Sequence, residues 1–477
     1  MIRRAELAVL GAGPAGIGAA LAASDANVDV LLLDRANAAG GQVYRRPSDA
    51  IDRRYTTKGL DQREGERLRQ RLKSSQVTCL FDRTVWSVQR GFRIDAVGPE
   101  GTEIWEADKL VVASGTIERV IPFPGWTIPG VMGLAATTVL LKSQRMLPGQ
   151  RPVVAGSGPL LWAVAGGIVA GGGLPVAVVD LAGIAEWMAS VPALLSRPVD
   201  LCRGLRWMQN VREKGVPVIP RAGVHRVCRE GESLAIEVVP HCRDGTPRLG
   251  AKVTRLEADA LCIGHGLIPT TETTRLLGAE HVFDAPAGGW KPVVDLDQRT
   301  SVSGLFAAGD CTGITGAATA YLEGQLAGLA VALEMGRTTA ELHRKQTKSL
   351  QRQRRRLSRA GARMAELMAP RTSQTDAIGM DTVVCRCEDI TRAEIEEAFD
   401  AGALGLNQLK SWTRCGMGPC QGRMCGETVA AIAARRFGGR TAVGLWSPRV
   451  PLVPLPMENL VGSFSYDDIP IPEAAPL

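Results

Sequence analysis

Ala8-Val9-Leu10-Gly11-Ala12-Gly13-Pro14-Ala15-Gly16 decides the fold of this 477-residue chain. The apolar run Leu7 to Leu10 reads as a buried parallel strand. Small residues from Ile17 to Ala23 read as a helix, and a second apolar strand, Val28 to Leu33, ends on Asp34. Strand, glycine turn, helix and strand-terminal acid in this order form the Rossmann βαβ fingerprint. Gly11 permits the tight turn, Gly13 lets the backbone approach a pyrophosphate, and Gly16 lets the helix lie close on the strand. The helix starting at Pro14 and Ala15 offers unpaired N–H groups and its positive dipole end to phosphates. Asp34, with Arg35 beside it, is placed to take the adenosine ribose hydroxyls. Arg3 and Arg4 before an Ala-rich stretch outline a secretory leader, but three glycines, Pro14, Asp25 and Asp29 break that outline.

Length allows two to four domains with proper cores, and 45% hydrophobic against 22% charged residues marks a globular chain. Aromatic residues are only 4% and glycines number 54, which suits α/β units with tight strand-to-helix turns. No apolar run reaches the roughly 18 residues of a spanning helix. The net charge of +7 is concentrated between Arg344 and Arg363. Leu350, Leu357, Met364, Leu367 and Met368 give that stretch one apolar helical face, so it reads as a linker helix with a solvated or partner-facing basic side. No aromatic residues interleave the charges, which argues against nucleic acid.

The chain repeats its opening. Pro152 to Leu161 is again strand, glycine turn (Gly156, Gly158) and helix, and Val176 to Val179 is a strand ending on Asp180. Leu161 stands where a third glycine would, which leaves nucleotide binding in this second unit open. Around these units lie a loop, Gly40-Gly41-Gln42, able to pass close to a cofactor; strands over Thr78–Asp95 and Glu103–Ala107; and a further strand, Lys109 to Gly115, which brings Ala113 and Ser114 back to the nucleotide. The Pro-punctuated Ile121 to Trp126 reads as the passage between domains. A Trp- and Met-rich helical stretch, Gly183 to Gln209, reads as a core stripe carrying Trp187, Met188, Trp207 and Met208. Gly304 to Asp310 is an apolar strand ending in Gly309-Asp310, followed by a helix from Ala317 to Gly336.

Of eleven cysteines, Cys79, Cys202, Cys228, Cys242, Cys262 and Cys311 are scattered and read as buried, inert thiols. The other five cluster: Cys385-Arg386-Cys387, then Cys415-Gly416-Met417-Gly418-Pro419-Cys420, then Cys425. An odd, clustered set points to a reducing compartment and a metal or cluster site. Two close pairs, Cys385/Cys387 and Cys415/Cys420, suit a 2Fe-2S centre better than zinc, whose fingers favour Cys-x-x-Cys. Cys425 is the spare. Thr391 to Glu394 forms a capping box for a helix reaching Ala401. No Cys-x-x-Cys occurs, which argues against a thioredoxin-reductase-like dithiol.

These motifs, with Ser114 to Arg119 and Phe123 to Trp126, resemble the two-dinucleotide-binding-domain flavoproteins. The cysteine module is similar to the bacterioferritin-associated-ferredoxin type. Together they resemble the α subunits of heteromeric amine dehydrogenases: opine oxidase, hydrogen cyanide synthase and dye-linked proline or hydroxyproline dehydrogenases. The resemblance implies an α/β fold of tandem Rossmann-like domains plus a small helical C-terminal 2Fe-2S domain. It implies residues 1–122 and 295–340 as FAD-binding domain, 123–294 as the second Rossmann-like domain, 341–380 as linker, 381–440 as 2Fe-2S domain and 441–477 as tail. FAD and a 2Fe-2S cluster are the implied cofactors, with NAD(P) or ATP left open for the second unit. The aspartate of Gly309-Asp310 would accept a hydrogen bond from the flavin ribityl chain, and the helix start at Ala317 would face the pyrophosphate. The implied partner is an FAD-containing, amine-oxidase-like catalytic β subunit, with room for a small ferredoxin-like γ subunit, in the cytoplasm. Rival readings are a self-sufficient NAD(P)H-dependent flavin oxidoreductase and a nucleotide-binding scaffold subunit. No acid–base dyad stands out, so no catalytic residue is assigned.

Overall fold

The computed structural model describes residues 2–47, 51, 60–248, 250–371 and 373–460; the end of the expected tail, 461–477, lies outside the described residues. The opening unit folds as read: β1 (Ile2–Leu10), α1 (Pro14–Ser24) and β2 (Val30–Leu33). After them come α2 (Leu60–Lys73), β3 (Thr78–Leu80), β4 (Thr84–Val88), β5 (Arg93–Gly98) and β6 (Gly101–Val112). Their sheet runs β3-β2-β1-β6-β5-β4, with β1 parallel to both β2 and β6. The second half of β1, Leu7 to Leu10, is apolar on both faces because both are covered. Leu7 and Val9 pack with α1, while Ala8 and Leu10 pack with Ile94 and Leu110 on the other side. The two strands expected over Glu103–Ala107 and Lys109–Gly115 are one strand, β6. Asp108 and Lys109 interrupt the apolar pattern but not the backbone ladder, which β1 holds from Ile104 to Val112.

The second unit follows with β7 (Thr116–Glu118), β8 (Val131–Gly133), α3 (Leu134–Val139), β9 (Val153–Gly156), α4 (Pro159–Ala170) and β10 (Ala177–Asp180). Then come α5 (Ile184–Met188), α6 (Val191–Leu194), α7 (Pro198–Glu213) and β11 (Val218–Pro220). An antiparallel trio, β12 (Ala222–Glu230), β13 (Ser233–Pro240) and β14 (Thr254–Ala258), precedes β15 (Leu261–Ile263) and β16 (Leu267–Pro269). The second sheet is ordered β11-β10-β9-β15-β8. β16 pairs antiparallel with β7, so the chain enters and leaves this unit through one ribbon. The expected core stripe over Gly183–Gln209 is three helices, and Met188 is 65% exposed. Trp187, Trp207 and Met208 do pack against the core around Leu161, which is itself fully buried.

β17 (Leu305–Ala307) returns to the first sheet and pairs in parallel with β6. It leads to α8 (Ala317–Glu334) and to α9 (Ala340–Met368), capped by Thr339 Oγ1, which accepts from the Leu342 N–H. α8 lies on α1 so closely that a Cβ on Gly18 would sit 2.4 Å from Tyr321 O, and one on Gly324 1.9 Å from Ala15 O. Most of the basic side of α9 faces solvent. Arg354 does not: its guanidinium Nε meets Glu323 Oε1 at 2.8 Å, and Glu323 is 2% exposed. Oε2 of Glu323 accepts from Gly309 N–H at 3.1 Å, so this pair ties the long helix to the returning strand. Removing one partner of a buried ion pair costs about 3–5 kcal/mol, because the other is left desolvated and unpaired. Arg354→Ala is therefore expected to lower Tm clearly in a thermal melt, while Arg355→Ala on the solvent face changes it little.

The C-terminal module contains α10 (Arg392–Asp400), α11 (Leu406–Thr413) and α12 (Gly426–Ala434) around a core including Ile395, Leu409 and Val429. Thr391 makes the expected capping box with Glu394. Trp446, beyond α12, closes this core and donates its indole N–H to Leu406 O at 2.9 Å.

Candidate cofactor cradle and thiol cluster

The first glycine turn is built as the fingerprint requires. Gly11 has φ +104°, and a Cβ there would lie 2.4 Å from Ala113 O; a Cβ on Gly16 would lie 1.7 Å from Gly11 O. Gly13 is the open member: a Cβ on it would meet only Gly41 Cα, at 3.9 Å. The Gly40-Gly41 loop therefore packs on the turn, with Gly40 N–H donating to Ala12 O at 2.8 Å. Asp34 accepts from Ala12 N–H (2.5 Å) and Ala36 N–H (2.7 Å), which fixes the turn against the end of β2. Each oxygen keeps a lone pair for a ribose hydroxyl. Arg35 and Gln42 are exposed, and Gln42 Oε1 accepts from Arg45 at 3.0 Å. Sequence reading misses Arg45, whose charge lies close enough to Asp34 to interact with it.

Ser114 Oγ donates to Thr270 O at 2.9 Å, and Gly115 takes φ +69° at the start of the ribbon. Gly309, at φ +85°, is pinned against α1, since a Cβ there would meet Ala15 Cβ at 2.7 Å. Asp310 Oδ1 accepts from the N–H groups of Thr315 (3.0 Å) and Gly316 (2.9 Å), just before Ala317 opens α8. Burial pushes this carboxyl up from the ordinary aspartate range. Arg197, from the second unit, reaches the same helix start and donates to Thr315 O at 2.8 Å. The Thr315 hydroxyl and Arg197 Nε are buried without a hydrogen-bond partner among the described residues. Two helix starts, an open glycine, a half-buried carboxylate and these polar atoms thus converge in one cradle.

The second turn differs. Gly156 (φ +143°) and Gly158 (φ +81°) are in place, but a Cβ on Gly158 would lie 2.4 Å from Met368 Cγ.

Among the six scattered cysteines, the structure buries Cys262 and Cys311; Cys202 is exposed and the other three are half-buried. Cys79 and Cys228 sit on strands, Cys202 on a helix and Cys242 in the turn after β13, none of them fully covered, which corrects the sequence expectation. The clustered five fall into two groups. Cys385, Cys415 and Cys425 hold their sulfurs within 4.8 Å of one another, and all are buried. Cys387 contacts Cys420, and a Cβ on Gly418 would lie 2.2 Å from Cys387 Cβ. Cys425, the spare of the sequence reading, is thus inside the cluster. The N–H groups of Gly416 and Glu388 point at the Cys385 sulfur, and that of Cys420 at Cys387. Hydrogen bonds from Cys415 and Cys425 hold the Cys385 thiol well below the usual thiol range. Trp446 roofs the loop: a Cβ on Gly416 would lie 2.6 Å from its ring, and one on Gly422 2.3 Å. Beside the loop opens a cavity of about 700 Å³ lined by Arg275, Lys410, Arg414 and Arg423. No sequence signal marks it, because its walls come from the ribbon, the thiol loop and the tail.

Fold and site together define a flavoprotein of two dinucleotide-binding units carrying an iron–sulfur-type thiol module. The chain belongs to the pyridine nucleotide-disulphide oxidoreductase family, matched over residues 5–336, and residues 383–435 match the BFD-like [2Fe-2S] binding domain. An opine oxidase subunit of Rhizobium meliloti is 34% identical over 94% of this chain and 96% of its own length. Hydrogen cyanide synthase subunit HcnB of Pseudomonas aeruginosa is 31% identical over 94% of this chain and 96% of its own. The crystal structure of L-proline dehydrogenase from P. horikoshii shares the fold at a TM-score of 0.66, with 19% identity, covering 97% of this chain and 81% of that one. The chain is an oxidoreductase-family flavoprotein, and its front cradle fits the FAD such a fold carries. The donor set of five thiols, with N–H groups aimed at sulfur, fits a [2Fe-2S] centre. No helix among the described residues is long and apolar enough to cross a membrane.

Proposed function

We propose that this chain is the electron-transfer subunit of a heteromeric flavoenzyme that oxidises a secondary amine or amino acid, of the opine, proline or hydroxyproline type, to an imine. The carbon–nitrogen chemistry belongs to an FAD-containing partner subunit. The observation that carries this reading is the joining, in one chain, of a flavin cradle and a five-thiol loop, with no Cys-x-x-Cys dithiol in the sequence. Relatives along nearly the whole length are themselves subunits of an opine oxidase and a hydrogen cyanide synthase. FAD exchanges one or two electrons and a [2Fe-2S] centre one, a pairing suited to splitting a two-electron oxidation into single-electron steps.

The chain's own residues then have holding and tuning roles. Gly11, Gly13 and Gly16, with the starts of α1 and α8, hold the FAD diphosphate, and Asp34 the adenosine ribose. Asp310, held rigid by Thr315 and Gly316, takes a flavin hydroxyl, while Thr315 and Arg197 supply further polar contacts. Four thiolates from Cys385, Cys387, Cys415, Cys420 and Cys425 hold the cluster; the sequence spacing favours the first four.

Tagged chain purified from its native host is expected to bring down a second flavin-bearing subunit, and the pair to reduce an artificial dye with one amine of a screen. Iron and sulfide should each approach about two per chain. A colourless, zinc-loaded chain, or one that reduces the dye with NADH and no partner, overturns the proposal.

A further inference from the structure

Membership of this family implies a nicotinamide dinucleotide in the second βαβ unit, and the residues there do not fit it. A dinucleotide crosses such a unit over the second glycine of the turn and lies in the crevice outside the strand ends. In this chain that path is filled by the end of α9. A Cβ on Gly158 would lie 2.4 Å from Met368 Cγ and 3.3 Å from its Sδ, so the thioether stands against the glycine where a pyrophosphate would pass. On the opposite wall, a Cβ on Gly266 would lie 2.4 Å from Met368 O. One residue thus closes the crevice from both sides. What remains is a cavity of about 50 Å³ between Gly156, Ser157, His241 and Met368, against the several hundred, about 300–1,000 Å³, that a cofactor site needs.

The acid at the end of β10 is also engaged. Asp180, itself 3% exposed, accepts from Ala182 N–H (2.9 Å) and from the Trp187 indole (2.8 Å). The plug is anchored along its length. Arg354 is paired to buried Glu323. Gly361 lies so close to the loop before α8 that a Cβ on it would sit 2.2 Å from Thr315 O. Arg363 Nε donates to Ser190 Oγ at 3.1 Å, and Arg371 meets Glu186 at 2.6 Å. Withdrawing Met368 means moving a helix end that is held before it at Arg363 and after it at Arg371.

We infer that the second dinucleotide cleft is sealed by the chain's own α9, with Met368 seated on the Gly158 turn, so that the chain takes no hydride from NADH or NADPH. The βαβ unit serves as a docking floor for the linker that positions the thiol module. The seal is independent of which amine the partner oxidises.

The test uses the full-length, FAD-loaded chain under anaerobic conditions. Titration with NADH and NADPH to about 1 mM, the upper end of ordinary KM values, is expected to leave the visible flavin band unchanged. Calorimetry with NADH is expected to show no saturable heat. Met368→Gly opens the turn, and saturable NADH binding is expected to appear, at least about tenfold tighter than any residual wild-type binding. Met368→Ala serves as the milder variant, and both are compared only with flavin content equal to wild type. Bleaching of the wild-type flavin by NADH, or saturable wild-type binding below about 1 mM, overturns the inference. So does a pair of folded variants that bind NADH no better than wild type.

Discussion

Cys385→Ser is expected to strip the C-terminal module of its metal, lowering iron from about two per chain to below about 0.2, while the FAD content stays at the wild-type level. Cys385 is the thiol the others are built around. It touches both Cys415 and Cys425, receives the Gly416 and Glu388 N–H groups, and is 1% exposed. A serine oxygen is harder and shorter-reaching than a thiolate and gives up those sulfur-directed contacts. The flavin survives because Cys385 belongs to a core with Ile395, Leu409 and Val429, separate from the one around α1. The module itself loosens. A segment the size of 383–435 buries little core for its length, and ligand thiolates tie its ends together. Limited proteolysis should cut the variant after α9 sooner than wild type. Iron content and the visible spectrum of five single serine variants complete the experiment: a four-thiolate centre drawn from five cysteines leaves four variants without iron and one with it. Retention of iron by Cys385→Ser sinks the assignment of this thiol.

The parts of this molecule written in local sequence are readable, and those written by approach of distant segments are not. The glycine spacing at Gly11, Gly13 and Gly16 names a backbone geometry directly, as do Gly156 and Gly158, so both βαβ units and the returning strand can be placed. The capping box at Thr391 is likewise a local signal. Asp108 and Lys109 look like an interruption between two strands, whereas a parallel partner carries the β6 ladder through them. Met368 looks like any apolar position on an amphipathic helix; that its side chain lands on Gly158 depends on the length and anchoring of α9. Cys425 reads as a spare because spacing alone cannot say which of two four-residue gaps folds back. Gly18, Gly324 and Gly328 carry no sequence signal beyond a poor helix propensity.

Those three glycines carry the second large effect. Gly324→Leu is expected to destabilise the front unit by about 3 kcal/mol or more and to yield protein largely without FAD. A Cβ at 324 would sit 1.9 Å from Ala15 O and 2.9 Å from Ala19 N; at 328 it would sit 2.3 Å from Ala19 O. These are backbone atoms of α1, so no side chain can swing aside, and the helices must part. The two helices are not only a core: both start on the cradle proposed for the FAD diphosphate, α1 after Gly13 and α8 after Gly316. Parting them moves both sets of N–H groups and drags Asp310 with α8, because Asp310 is bonded to Thr315 and Gly316. Stability and cofactor affinity therefore fall together, which a surface defect does not produce. Gly204→Ala, in α7, is the control. A Cβ there meets nothing within 4 Å, so helix propensity alone acts, and the change is neutral or stabilising by about 0.5–1 kcal/mol. Thermal melts and FAD-to-protein absorbance ratios of the two variants separate the cases. Full flavin content in Gly324→Leu would mean that the α1–α8 contact does not set the cradle.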